Sequence, residues 1–128
     1  MIAGIIKQKG RVILKEVDIT PPQFVALQWL HEEGDMTVGV LSTKMYLACS
    51  TTTDLVDRME NSGLCKRLKD PNDRRIVRIH LLDKGTDLIR KVIRKRQKYL
   101  ETVFANFSKE EIDQLEQSLL RLYEEMNG

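Results

Sequence analysis

Apolar side chains at Ile2, Ile5, Ile6, Ile13, Leu14 and Val17 recur near the period of a helix, so the chain is expected to begin with one despite Gly10. Thr20-Pro21-Pro22-Gln23 then reads as a second helix start. The threonine can accept from the third amide, proline suits the first helical position, and the glutamine can reach back to the cap. That helix carries Phe24, Leu27, Trp29 and Leu30 and is expected to stop at Gly34. Thr37 can cap a short third helix reaching about Met45, and Ser50 is expected to cap a fourth reaching about Asn61. On the wheel of the fourth, Thr52, Leu55, Val56 and Met59 share one side. Ser50, Thr53, Asp54, Asp57, Arg58 and Asn61 take the other, with Thr51 at the edge.

After Gly63 the pattern changes from helical to alternating. Residues Cys65 to Lys69 and Ile76 to Leu82 read as two strands, joined by the turn-forming run Asp70-Pro71-Asn72-Asp73-Arg74-Arg75. A long helix is expected from Lys84 to Asn106. Ser108-Lys109-Glu110-Glu111 opens a last one, whose Ile112, Leu115, Leu119, Leu122 and Met126 make a narrow seam suited to a partner helix. This order predicts a mainly α fold with one small β-hairpin. Residues 20–83 would form a winged helix-turn-helix, and residues 1–19 and 84–128 a helical dimerisation region, all within one compact chain. Ile5, Ile6, Leu115, Leu119 and Leu122 are the candidate dimer contacts.

Composition changes this picture little. The 128 residues are 41% hydrophobic and 31% charged, a globular balance. No apolar run is long enough to span a bilayer and no secretory leader is evident, so a cytoplasmic location with no membrane association is expected. The net charge of +2 is too small to argue for nucleic acid. Its distribution says more: residues 1–17, 36–82 and 83–107 are net basic, whereas 18–35 and 108–128 are net acidic. A basic face can exist without a basic protein. Cys49 and Cys65 have no partner cluster and read as reduced, structural thiols. His31 and His80 sit in no ligand-spaced group, so no metal is expected. There is no paired nucleophile and base and no phosphate loop, so neither an enzyme nor a cofactor is expected.

A helix can enter the major groove if its outward face is polar, and Ser50, Thr51, Thr53, Asp54, Arg58 and Asn61 provide one. The amide-rich start Ser50-Thr51-Thr52 also suits a phosphate. Lys69, Arg74 and Arg75 lie at or beside the hairpin tip, and arginine is favoured in a narrow minor groove. Each fragment alone is weak; capped helix, Gly63-Leu64, strand, arginine turn and strand in succession point to double-stranded DNA.

From Leu41 to Gly85 the chain resembles the MarR family of bacterial transcription regulators. The resemblance rests on Ser50-x-x-Thr53-x-Leu55-Val56-Asp57-Arg58-Met59-Glu60, then Gly63-Leu64, a basic strand, Asp73-x-Arg75, and a closing strand before Lys84-Gly85. It implies a homodimer on a pseudo-palindromic operator, a recognition helix starting near Ser50, and a wing arginine at Arg75 steadied by Asp73. It also implies a repressor released by a small phenolic or anionic ligand, bound between the helical and winged parts, with Trp29 a candidate lining residue. Leu82 departs from the threonine usual in the family, leaving Asp83 or Thr86 to cap the long helix. Asp54 departs too, standing where a basic or small residue is common. That carboxylate, with the small net charge, suits an alternative: a winged-helix module that binds protein and antagonises another regulator without touching DNA.

Overall fold

The computed structural model describes all 128 residues, in the order α1 (Ile2–Glu16), α2 (Pro21–Glu33), α3 (Val38–Met45), α4 (Cys49–Asn61), β1 (Cys65–Lys69), β2 (Val77–Leu81), α5 (Asp83–Val103) and α6 (Lys109–Asn127). They gather into two compact units, Met1–Lys95 and Arg96–Gly128, with α5 continuing from the first into the second. The fold is mainly helical with one antiparallel hairpin, as the periodicities require.

Local chemistry sets three of the six helix starts. Thr20 Oγ1 accepts from the Gln23 amide at 3.3 Å, and Gln23 Oε1 accepts from the Thr20 amide at 3.1 Å. Ser108 and Glu111 repeat that reciprocal pair at the head of α6, and Thr37 Oγ1 accepts from the Val40 amide. Glu111 is held below the usual carboxylate range by its hydrogen bonds with Ser108. Two expected starts are corrected. Ser50 does not cap α4: the cap lies two residues earlier, at Ala48, which is extended and offers no side-chain acceptor, and the helix begins at Cys49. The cause is tertiary. Thr52 is packed into the core with Val56 and Met59, and both its amide (3.0 Å) and its hydroxyl (3.1 Å) donate to the Ala48 carbonyl, which closes the first turn ahead of Ser50. The long helix starts at Asp83, which stands in its first turn where a carboxylate meets the positive end of the helix. It ends at Val103 rather than near Asn106, because Phe104 to Phe107 turn, with the two phenyl rings edge to face at 5.2 Å.

The core of the first unit joins Ile13 and Leu14 of α1, Phe24, Leu27 and Leu30 of α2, Leu41 of α3, Val56 and Met59 of α4, Ile79 of β2, and Ile89 and Val92 of α5. The hairpin is fastened to this core at its base. Ile79 exchanges backbone hydrogen bonds with Met36 (2.7 and 3.4 Å), and the Leu82 amide donates to the Leu64 carbonyl at 3.0 Å. Gly63, at φ 76°, provides the left-handed turn that lets the chain leave α4 for β1. In the second unit α6 has no buried residue at all.

Candidate nucleic-acid interface

α3 and α4 form a helix-turn-helix, and the wheel read from the sequence is observed except that Thr51 and Thr53 exchange places, Thr51 being exposed and Thr53 at the edge. Thr52, Val56 and Met59 face the core and Leu55 is half-buried. Ser50, Thr51, Asp54, Asp57, Arg58 and Asn61 are exposed; Thr53 is half-buried between the two sides. The exposed face therefore offers hydroxyls, an amide and a guanidinium, the groups that hydrogen-bond base edges and phosphates. Asp54 makes no ion pair within the chain.

The wing tip is a self-contained polar turn. One carboxylate oxygen of Asp70 accepts from the amides of Asn72 (2.8 Å) and Asp73 (3.1 Å), and the other pairs with Arg78 of β2. Backbone bonds close the loop between Asp70 and Ile76 and between Ile76 and Asp73. Asp73 in turn receives three bonds from Arg75: its amide at 3.0 Å, Nε at 3.1 Å and Nη2 at 3.3 Å. The Arg75 side chain is nonetheless 90% exposed. A guanidinium that is aimed but uncovered has already given up much of its rotamer freedom, and it remains free to bond elsewhere. Arg74 and Lys69 are exposed beside it.

These carboxylates lie below their ordinary range. Asp73 is lowered chiefly by the Arg75 side-chain bond, and Asp70 chiefly by the Arg78 side-chain bond. A depressed carboxylate stabilises the fold above its unfolded value and ceases to do so as pH falls through the folded one. The wing bonds are therefore at full strength at neutral pH and weaken only below about pH 4.

A charged cluster joins α4 to β1. Arg67 of β1 donates Nη1 to Glu60 at 2.9 Å and pairs Nη2 with Asp57 at 2.7 Å, while its amide donates to Glu60 at 2.9 Å. Glu60 and Asp57 lie one turn apart on α4, so this trio ties the end of that helix to the root of the wing. It also neutralises Asp57, which with Asp54 is one of two carboxylates on the exposed face of α4. Lys84 adds a second tie, its ammonium donating to the Ser62 carbonyl at 2.7 Å.

Trp29 is half-buried against the core, and Lys44 Nζ lies 4.9 Å from its ring centre. Trp29 does not line the cavity of about 880 Å³ that opens within the first unit. Its lining includes the apolar Val17, Ile19 and Leu64, the cationic Arg11, Lys15 and Lys84, and the carboxylate of Asp18.

The cysteines differ sharply. Burial, then the nearby Glu60, pushes the Cys65 thiol up to about 11, whereas Cys49 is exposed in the first turn of α4. Since the thiolate is the nucleophile, iodoacetamide at neutral pH should label Cys49 and leave Cys65 untouched until the protein is unfolded. Mass spectrometry of the peptides checks this, and prompt labelling of Cys65 would mean that the hairpin base opens readily.

A profile of the MarR family matches residues 19–77. The chain is 63% identical over 125 residues to a Bacillus subtilis (strain 168) protein named as an uncharacterized HTH-type transcriptional regulator, YsmB; the match spans 98% of this chain and 86% of the relative. Among solved structures, a MarR family protein from Bacillus stearothermophilus is 59% identical with a TM-score of 0.84, across 99% of this chain and 89% of that one. A mutant of S. aureus MepR, solved bound to an oligodeoxyribonucleotide, is 25% identical with a TM-score of 0.81, covering 98% and 93%. The chain belongs to the MarR family of winged helix-turn-helix, DNA-binding transcriptional regulators.

Proposed function

We propose that the protein is a homodimeric repressor that occludes a pseudo-palindromic operator and is released by a small anionic ligand. The observation that carries the DNA part is Arg75, held by three bonds to Asp73 while its side chain stays 90% exposed. In this reading α4 enters the major groove with Ser50, Thr51, Thr53 and Arg58 toward bases and phosphates. Arg75 enters the adjoining minor groove, and Arg74 and Lys69 meet the backbone. The first-turn amides of α4, which lack a side-chain acceptor, would find one in an operator phosphate.

Dimerisation would use residues 1–19 and 84–128. Ile5 and Ile6 are 61% and 59% exposed, and Leu119 and Leu122 are each 54% exposed, more apolar surface than isolated helices keep in water. Two heads would then engage half-sites about one helical turn apart. The cavity supports the ligand: its lining carries three cations, Arg11, Lys15 and Lys84, against one carboxylate, Asp18, with apolar Val17, Ile19 and Leu64. That cationic excess suits a small aromatic or aliphatic carboxylate or phenolate better than a neutral molecule. Its lining residues come from α1, the head of α2, the α4–β1 turn and α5, so occupancy would shift the winged part against α1 and α5 and change the spacing of the heads.

Binding of purified protein to mixed-sequence duplex DNA against salt tests the DNA reading. Phosphate contacts release counterions, so the wild type should show a steep loss of affinity with salt. Arg75→Ala should bind more weakly by about 1–3 kcal/mol and flatten the slope by about one. A chain that ignores DNA at low salt would be a protein-interaction module instead, and an unchanged mutant would reduce the wing to a turn.

A further inference from the structure

Tyr46 is where both local propensity and packing argue against a tyrosine. It follows α3 with φ 55° and ψ 41°, a left-handed conformation that glycine or asparagine adopts readily and other residues adopt at a cost. Its side chain is 95% exposed, so packing offsets none of that cost. The three-residue turn from Tyr46 to Ala48 is secured by its neighbour: the Leu47 amide donates to the Ser42 carbonyl at 3.0 Å, and Leu47 is half-buried. Nothing in the fold requires the phenol.

The position supplies a use for it. In a helix-turn-helix the first helix crosses the DNA backbone and the start of the second meets base edges, so the turn between them lies at the rim of the major groove. We infer that Tyr46 is a DNA-contact residue whose phenol donates a hydrogen bond to a backbone phosphate oxygen at that rim. The inference rests on α4 being the groove-entering helix. Such a contact fixes register without reading sequence, and it is uncharged, so it displaces no counterion. Those two properties separate it from Arg75.

Because a phosphate contact is independent of sequence, mixed-sequence duplex is a sufficient probe. Affinity against salt and the thermal midpoint are measured for the wild type, Tyr46→Phe and Tyr46→Asn. Tyr46→Phe keeps the ring and the backbone conformation. It should bind about three- to tenfold more weakly, the worth of one hydrogen bond, with the same salt slope and an unchanged midpoint. Tyr46→Asn should bind at least as weakly while melting at the same or a higher temperature, since asparagine suits the left-handed backbone.

Wild-type affinity in Tyr46→Phe overturns the assignment. So does a flattened slope in that variant, which would place the loss on a displaced cation, and so does a clear drop in the midpoint of Tyr46→Asn, which would give the ring a structural role. A wild type that binds no duplex at low salt is a separate result: it removes the groove-entering role of α4, and the Tyr46 contact with it.

Discussion

Gly85→Ala is expected to destabilise the fold by about 1–3 kcal/mol, the range for forcing one extra carbon into a filled site. For a chain of this size that lowers the thermal midpoint by roughly 3–15 °C. The expectation runs against helix propensity, which favours alanine over glycine by about 1 kcal/mol in an exposed helix interior. Gly85 is buried in the first turn of α5, and a Cβ there would lie 2.5 Å from the Leu64 carbonyl oxygen and 2.6 Å from a Leu81 methyl. The leucine side chain can rotate aside; the carbonyl cannot move freely. That carbonyl accepts the Leu82 amide at 3.0 Å, the bond that fastens the base of the hairpin next to α5. Displacing it loosens the joint between the wing and the helix that carries the wing's position. Gly85→Val should be worse, and in both variants DNA affinity should fall together with the melting temperature. A Gly85→Ala protein with an unaltered midpoint would show that the joint yields without cost.

What could be read in the chain was what local chemistry decides. The capping boxes at Thr20 and Ser108 involve groups three residues apart, and the Asp73–Arg75 clasp spans two, so sequence spacing alone brings their atoms together. The buried side of α4 followed from its period. Where tertiary packing intervened, local reading failed. Ser50 looks like a cap, yet the core-packed Thr52 bonds back to the Ala48 carbonyl and the helix starts at Cys49. The Asp57–Glu60–Arg67 trio joins a helix to a strand across a turn whose geometry no residue pattern specifies. The resemblance suggested Trp29 as a residue lining a ligand site; the cavity of the first unit is lined instead by residues scattered from Arg11 to Leu88, none conspicuous alone in the sequence. Tyr46 gave no signal because tyrosine is not a residue that announces a left-handed turn. Its interest arises only when its backbone angle and its exposure are seen together.

Leu119→Asp should convert the protein to monomers and lower DNA affinity by about two orders of magnitude or more. Leu119, Leu122, Tyr123 and Met126 are 54–78% exposed along α6, a helix with no buried residue, so the second unit presents an apolar seam that a single chain leaves wet. Covering a half-exposed leucine contributes about 1 kcal/mol per protomer, and a symmetric dimer counts it twice. A carboxylate in its place would be desolvated at the seam, on a helix that already carries Glu116 three residues before it and Glu124 and Glu125 beyond. The effect on DNA follows from linkage of the two heads. Once one head is on a half-site, the other binds at an effective concentration set by the dimer, and such linkage is worth about 10²–10⁴ in avidity. Light scattering during size exclusion gives the mass, and the same samples are titrated with duplex. Leu119→Ala, which removes area without adding charge, should weaken the dimer and retain most binding at high protein concentration. A Leu119→Asp protein that remains dimeric with full affinity would move the interface away from α6, leaving the exposed isoleucines of α1 as the surface to test next.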